Sequence, residues 1–323
     1  MYAGRLRNQV SFMLSACNFY MPIFEEALDA YGLPLELRYL PIIESALNPS
    51  AVSRAGASGL WQFMIGTGKI YGLESNSLVD ERRDPIKATW AAARYLKEMY
   101  DIYGDWNLVI AAYNCGPGTI NKAIRRANGE TDYWKIYNYL PKETRGYVPA
   151  FIAANYVMTY YCDHNICPME TNIPASTDTV QVNKNLHFEQ IADLCNVPLD
   201  QIKSLNPQYK KQMIPGDSKP YTLRLPIDAI STFIDKQDTI YAHRADELFR
   251  NRKTVAVKEI TPSTRKTTAA VAGKGKLTYY TIKSGDTLST IAGKYGVTIK
   301  DIQRWNGMSN TKIAAGKRLK IYK

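Results

Sequence analysis

Apolar and polar residues alternate along this chain with two different periods, and the change of period divides it. From Gln9 to about Cys162 the apolar positions recur at helical spacing. In Gln9–Ala30 they are Val10, Met13, Leu14, Cys17, Met21 and Phe24, which predicts an amphipathic helix closed by Gly32. Leu33-Pro34 opens a further helix at Leu35. Asp84-Pro85 caps a long one, Ile86–Tyr103, with Ala88, Ala91, Ala92, Tyr95, Leu96 and Met99 on one stripe and Gly104 as its stop. Trp106–Asn114 is apolar and ends at Cys115-Gly116-Pro117-Gly118, which cannot continue a helix. Shorter helices are expected at Thr119–Ala127 and Trp134–Leu140, and Thr144–Tyr161 closes an all-α block assigned to residues 1–170.

From Thr179 the grammar becomes strand, helix, helix, strand. Val180–Val182, Phe188–Cys195, Leu199–Leu205 and Tyr221–Leu225 form one such unit, within 177–227. Thr278–Ile282, Thr287–Tyr295, Thr298–Trp305 and Arg318–Tyr322 form another, within 277–323. The two align without a gap at an offset of one hundred residues. Val182 meets Ile282, Phe188 meets Leu288, Ile191-Ala192 meets Ile291-Ala292, and Asn206 meets Asn306. A fixed offset over this many apolar positions marks a repeated βααβ module. Between the units, 228–276 starts as a helix (Ile227–Phe249). It then becomes poor in bulky apolar residues and rich in Lys, Arg, Thr and Ala, as a flexible basic linker would be. The fold class is therefore multidomain: an all-α domain followed by two small α+β modules.

The formal net charge of +11 favours a polyanionic partner. Nucleic acid is not expected, because no zinc-finger spacing, RNA-binding aromatic signature or helix-turn-helix pattern accompanies the charge. No apolar run reaches the roughly 18 residues of a membrane span. Leu14-Ser15-Ala16-Cys17 has the form of a lipoprotein processing site, but Arg7, Asn8, Gln9 and Ser11 break the apolar stretch a signal peptide needs. It reads as helix, so any export signal and membrane attachment are expected ahead of Met1. Five cysteines do not make a disulfide framework in 323 residues; Cys162 and Cys167 are near enough to pair or to stay as thiols. Histidines 164, 187 and 243 are scattered, so neither a metal nor another cofactor is expected, and the chain is expected to be a monomer.

The candidate chemistry lies in Pro41–Gln62. Glu44 ends the apolar run Leu37, Leu40, Ile42, Ile43 and is followed by Ser45. A carboxylate in apolar surroundings is poorly solvated, so its pKa rises toward the value a general acid needs near neutral pH. A solvated helix glutamate is the bland alternative. Three polar-aromatic patches follow in order: Gly59-Leu60-Trp61-Gln62, Ala112-Tyr113-Asn114 and Thr144-Arg145-Gly146-Tyr147-Val148. Singly each reads as a cap beside a core aromatic; together they make a constellation.

In that order they resemble the catalytic domain of the family 1 lytic transglycosylases, a lysozyme-like α fold. The second repeat, YTIKSGDTLSTIAGKYGVTIKDIQRWNG, resembles LysM peptidoglycan-binding modules. The first repeat departs from that pattern, with Asn185-Leu186 where the second has Gly285-Asp286. The resemblance implies Glu44 as catalytic residue, Ser45, Gln62, Tyr113, Asn114 and Tyr147 as substrate-binding residues, and Trp61 on a pocket wall where the family commonly has Met. It also implies a cell-envelope enzyme, in the periplasm, that acts on peptidoglycan glycan strands. Glycosidases commonly need two carboxylates, whereas a lytic transglycosylase manages with one. Asp80, Glu81, Asp84, Asp101 and Asp105 are the acids able to serve as a second; Asp84 reads as a helix cap and the others as solvated. Alternatives to the enzyme are a goose-type muramidase and an inactive glycan-binding scaffold. The first repeat either binds glycan or packs on the catalytic domain, and the absence of a linker before it favours packing.

Overall fold

The computed structural model describes residues 2–170, 173–174, 176–249, 277–283, 286–308, 310 and 313–322. The segment 250–276 expected as a linker, and Gly285, lie outside these. The described residues fall into two compact units, one up to Phe249 and the other from Leu277.

The first unit opens with the helical block: α1 (Arg7–Ala30), α2 (Leu40–Ser45), α3 (Ile65–Ile70), α4 (Pro85–Tyr103), α5 (Trp106–Cys115), α6 (Pro117–Arg126), α7 (Tyr133–Ile136) and α8 (Lys142–Thr159). The sequence reading placed most of these helices to within a turn; it missed α3, opened α2 at Leu35, where Leu35–Tyr39 is a 3-10 helix, and ran α7 on to Leu140 through the 3-10 turn Tyr137–Tyr139. Their ends follow from local chemistry. Asp84 accepts from the amides of Ile86 and Lys87, Pro85 needs no donor partner, and Gly104 leaves α4 at φ +63°. Asp105 caps α5 in the same way through Leu108. Helix α1 packs on α4, and α5 packs on both α4 and α8, around a core that includes Phe24, Leu40, Trp61, Leu96 and Val109. Leu14–Cys17 lies within α1, with Ser15 and Ala16 buried and burial pushing the Cys17 thiol up to about 12. No described helix is long and apolar enough to cross a membrane.

Two stretches of the block are irregular. Residues 51–63 fold back on themselves through the bridges Val52–Ser58 and Ser58–Phe63, and residues 74–80 do so through Ser75–Asp80. The first of these loops lines the site, and the second carries Leu78 and Val79 to the first module.

The first repeat follows in the same unit. Strand β1 (Thr177–Val182) is joined antiparallel to β4 (Tyr221–Pro226), and β2 (Asn185–His187) to β3 (Met213–Pro215). Helices α9 (Phe188–Cys195) and α10 (Leu199–Leu205) lie between them, at the bounds the sequence indicated. The stretch expected as one helix is three, α11 (Ile227–Asp235), α12 (Gln237–Ala242) and α13 (Ala245–Leu248); Ala229, Phe233 and Ile240 enter the module's core. That core also takes Leu78 and Val79 from the helical block, so the module packs on the block.

The second unit repeats the plan. Strand β5 (Leu277–Thr281) pairs with β6 (Arg318–Tyr322), with α14 (Leu288–Tyr295) and α15 (Ile299–Asn306) between them. Its own core contains Ile282, Leu288, Ile291, Ile302, Trp305 and Ile321. The departure of the first repeat from the second has a physical basis here. The Asp286 carboxylate holds its turn by accepting from the Lys283 amide and the Tyr280 hydroxyl, both at 2.8 Å. Its counterpart Leu186 is fully buried in β2 against Ile214, so an apolar strand contact replaces a polar turn.

Candidate active site

Glu44 is the penultimate residue of α2, which stops abruptly. Ala46 and Leu47 adopt left-handed backbone, φ +51° and +59°, and their amides close the helix end on the Ile42 and Pro41 carbonyls. Each such residue costs on the order of 1–3 kcal/mol, and full burial of Leu47 recovers about as much. The helix therefore ends with its carboxylate facing a cavity of about 450 Å³. Ile43, Glu44, Ser45, Val52 and Gln62 are among the residues that line it, with Tyr2 and Met13 from the chain's start and α1. A larger cavity of about 1040 Å³ between α1 and α10 does not have Glu44 in its wall.

Burial pushes the Glu44 carboxyl up to about 7 from its ordinary 4.5. The Tyr147 hydroxyl donates to Oε1 and opposes the rise, while the negative charge of Glu143 adds to it. A carboxyl poised near 7 is half protonated at neutral pH and is able both to give and to take a proton.

Of the other expected residues, Ser45 and Gln62 line the same cavity and Tyr147 bonds Glu44, while Tyr113 and Asn114 are not in the cavity lining. The Ser45 hydroxyl lies 2.9 Å from the Leu60 carbonyl and 3.1 Å from that of Pro41, tying α2 to the 51–63 loop. Gln62 stands at φ +49°, with its side-chain amide donating to Gly59 (2.8 Å) and Ala51 (3.3 Å) carbonyls. That turns the amide nitrogen inward and leaves Gln62 at the cavity. The Tyr113 hydroxyl donates to the Trp61 carbonyl at 2.7 Å, and burial, then the nearby Glu44 charge, push that hydroxyl well above its usual range. The Asn114 side-chain oxygen accepts from the Thr144 hydroxyl at 2.9 Å, joining the end of α5 to the first turn of α8. Trp61 is not a pocket wall: it is fully buried, edge-on to Phe24, with its indole donating to Thr89 at 2.9 Å.

The candidate second acids are placed elsewhere. Asp84 caps α4, Asp105 caps α5, and Asp101 is paired with Lys97 on the surface of α4. Asp80 and Glu81, expected to be solvated, are buried. Asp80 makes a two-pronged pair with Arg82 (2.9 and 2.8 Å), and Glu81 pairs with Lys87 at 2.5 Å. Their cations compensate charges that burial alone would expel. Glu143 was missed, because the sequence reading began α8 at Thr144. The helix starts at Lys142, which puts Glu143 one turn before Tyr147 on the same face. Among the described residues no His, Cys, Asp and Glu group is arranged to hold a metal.

The opposing influences of Tyr147 and Glu143 on Glu44 give a paired expectation. Tyr147→Phe removes the bond that lowers the Glu44 pKa, so the alkaline limb of a Glu44-dependent activity moves to higher pH. Glu143→Gln removes a repelling charge and moves that limb to lower pH. Rate profiles of the two variants against pH check the signs.

Three family models match this chain in succession: the transglycosylase SLT domain over residues 21–136, the LysM-like domain of lytic transglycosylase MltD over 176–242, and the LysM domain over 280–321. The chain carries an SLT domain and two LysM-type modules. The membrane-bound lytic murein transglycosylase D of Escherichia coli K12 is 33% identical over 294 residues, 90% of this chain and 60% of that protein. The chain thus spans three fifths of that relative's length. The soluble lytic murein transglycosylase of the same organism is 33% identical over 124 residues, 36% of this chain and 19% of that protein. Among solved structures, the 70 kDa soluble lytic transglycosylase of Escherichia coli aligns at TM-score 0.39 and 29% identity, covering 44% of this chain and 24% of that one. Glu44 and the patches at Gln62 and Tyr113–Asn114 lie inside the SLT match. Glu143 and Tyr147 lie beyond it.

Proposed function

We propose that the SLT domain cleaves the MurNAc–GlcNAc β-1,4 bond of peptidoglycan without water, using Glu44 alone as acid and then base. The observation that carries this is one carboxyl raised to about 7 on the cavity, while the six acids of the 80–105 region are caps or paired. Protonated Glu44 gives its proton to the oxygen leaving MurNAc C1, while the substrate's N-acetyl group assists at the anomeric carbon. The carboxylate then takes the proton of the MurNAc 6-hydroxyl, whose oxygen closes on C1 to give a 1,6-anhydro end. Gln62 and Asn114 hydrogen-bond the acetamide and ring hydroxyls; Tyr147 orients Glu44, and Ser45 and Tyr113 fix the loop and helix ends around it.

The second module binds the glycan strands and keeps the SLT domain in the cell envelope at a high local concentration of substrate. Residues 277–323, which possess a core of their own, are expected to sediment with insoluble peptidoglycan when expressed alone. Recovery of the fragment in the supernatant would remove the anchoring role.

A hydrolytic reading has one observation in its favour. Glu143 is a second, exposed carboxylate within electrostatic reach of Glu44, where it could activate a water. Mass spectrometry of the muropeptides released from purified peptidoglycan separates the two. Products lighter by one water and resistant to borohydride mean anhydro ends; reducible products mean hydrolysis with Glu143 as the base to test.

A further inference from the structure

We infer that the first LysM-type module is a positioning element of the active site, acting through Lys210 on the loop that presents Gln62. The inference rests on the proposed reading of Glu44 and Gln62 as the reacting site.

The 74–82 loop has two attachments. At its tip, Leu78 and Val79 belong to the module's core, not to that of the helical block. Val79 bridges Tyr209, the Asp80 amide donates to the Gln208 carbonyl, and the Lys210 amide donates to the Leu78 carbonyl, both at 2.8 Å. The Lys210 ammonium donates to the Asn76 carbonyl at 2.8 Å and stands 3.6 Å from the Asp80 carboxylate. At its base, the same carboxylate holds Arg82 in a two-pronged pair, with both side chains almost wholly buried. The remaining Arg82 nitrogen donates to the carbonyls of Gly56 (2.8 Å) and Phe63 (2.9 Å), spanning the loop that carries Leu60 and Gln62. Leu60 in turn accepts from Ser45, beside Glu44. Charge-assisted contacts thus run from Lys210 through Asp80 and Arg82 to the 56–63 loop, and the backbone of that loop carries the Leu60 carbonyl that holds Ser45 of the catalytic helix. A buried chain of this kind fixes geometry because each member is costly to leave unpaired.

The second repeat has other residues at the corresponding places. Ser309 and Asn310 stand one hundred residues on from Tyr209 and Lys210; Asn206 bonds Arg224 where Asn306 bonds Lys320, so the second repeat is four residues shorter before its last strand and Ala315 takes the place of Lys219. The lysines belong to docking, not to the module plan. Lys219 supplies a control, because it pairs with Glu74 at 2.7 Å on the same interface, and Glu74 makes no bond to Arg82.

The test compares Lys210→Met, Lys210→Arg and Lys219→Met in the full chain. Amide hydrogen exchange is followed over 51–63, 74–82 and 206–215, and kcat and KM are measured on purified peptidoglycan. Expected for Lys210→Met is exchange about tenfold faster over 51–63, with kcat about tenfold lower and KM within twofold. Lys210→Arg restores both, and Lys219→Met speeds exchange only over 74–82 and 206–215, with kcat unchanged. If Lys210→Met speeds exchange over the docking segments while 51–63 keeps its protection, the module merely packs and the inference is wrong. It is equally wrong if Lys219→Met matches Lys210→Met at 51–63. Should Lys210→Met not fold, Lys210→Gln, which keeps a donor for Asn76, is read in the same way. A wild-type chain releasing no muropeptides would overturn the proposed function, while the exchange data would still decide the coupling.

Discussion

Glu44→Gln abolishes release of muropeptides while leaving the chain folded and bound to peptidoglycan. Glutamine keeps the shape of the side chain but neither gives nor takes a proton at working pH, so a loss of at least 10²–10⁴-fold is expected, roughly what a positioned acid–base group contributes. Sedimentation with the polymer should be unchanged, since the second module has a separate core. Stability should move the other way. The folded carboxyl titrates at about 7 and the unfolded one near 4.5. The wild-type fold therefore loses stability as pH rises from about 4.5 through 7, by on the order of 3 kcal/mol, and has lost it all above that window. The glutamine variant has no such titration. Its melting temperature should pull ahead of the wild type's between pH 5 and 8, and thermal melts across that range check it. A variant that fails to bind peptidoglycan, or retains more than a few per cent of the activity, would take Glu44 out of the mechanism.

Gly59→Ala carries the second large effect, through backbone alone. Gly59 has φ +90°, and an added methyl carbon would stand 1.7 Å from the Arg82 carbonyl oxygen. Neither the flexible end of a side chain nor a rotamer change relieves a clash with backbone, so the 56–63 and 81–83 segments must part. Strain at positive φ and overpacking together are expected to destabilise the first unit by on the order of 3–5 kcal/mol. That corresponds to a fall in Tm of about 10 °C in a domain of this size. Activity should fall further than stability, because the same shift moves Gln62 and the Leu60 carbonyl that anchors Ser45. Gly56→Ala supplies the comparison: its φ is also positive, +87°, but nothing lies within 4 Å of the added carbon, so only the conformational strain remains. Equal melting temperatures for the two variants would show that the Arg82 contact is not what fixes the loop.

Local periodicity determined much of this protein on its own. Helical stripes, the Asp84 cap, the glycine stops and the repeated grammar of the two modules are legible in order along the chain, whereas the Asp105 cap was read as a solvated acid. Glu44 was legible as a poorly solvated acid, because the apolar run that desolvates it is contiguous with it. Other features depended on the tertiary structure, because they join residues that no local pattern relates. Tyr147 meets Glu44 across 103 positions, Tyr113 meets the Trp61 carbonyl across 52, and Lys210 meets the Asn76 carbonyl across 134. Whether an acid is solvated is decided in the same way. Asp80 and Glu81 look like surface residues in sequence, yet Arg82, Lys87 and a module more than a hundred residues downstream bury and neutralise them. Hydrophobic period records which side of an element faces inward. The identity of what lies on the other side is set by how the elements pack.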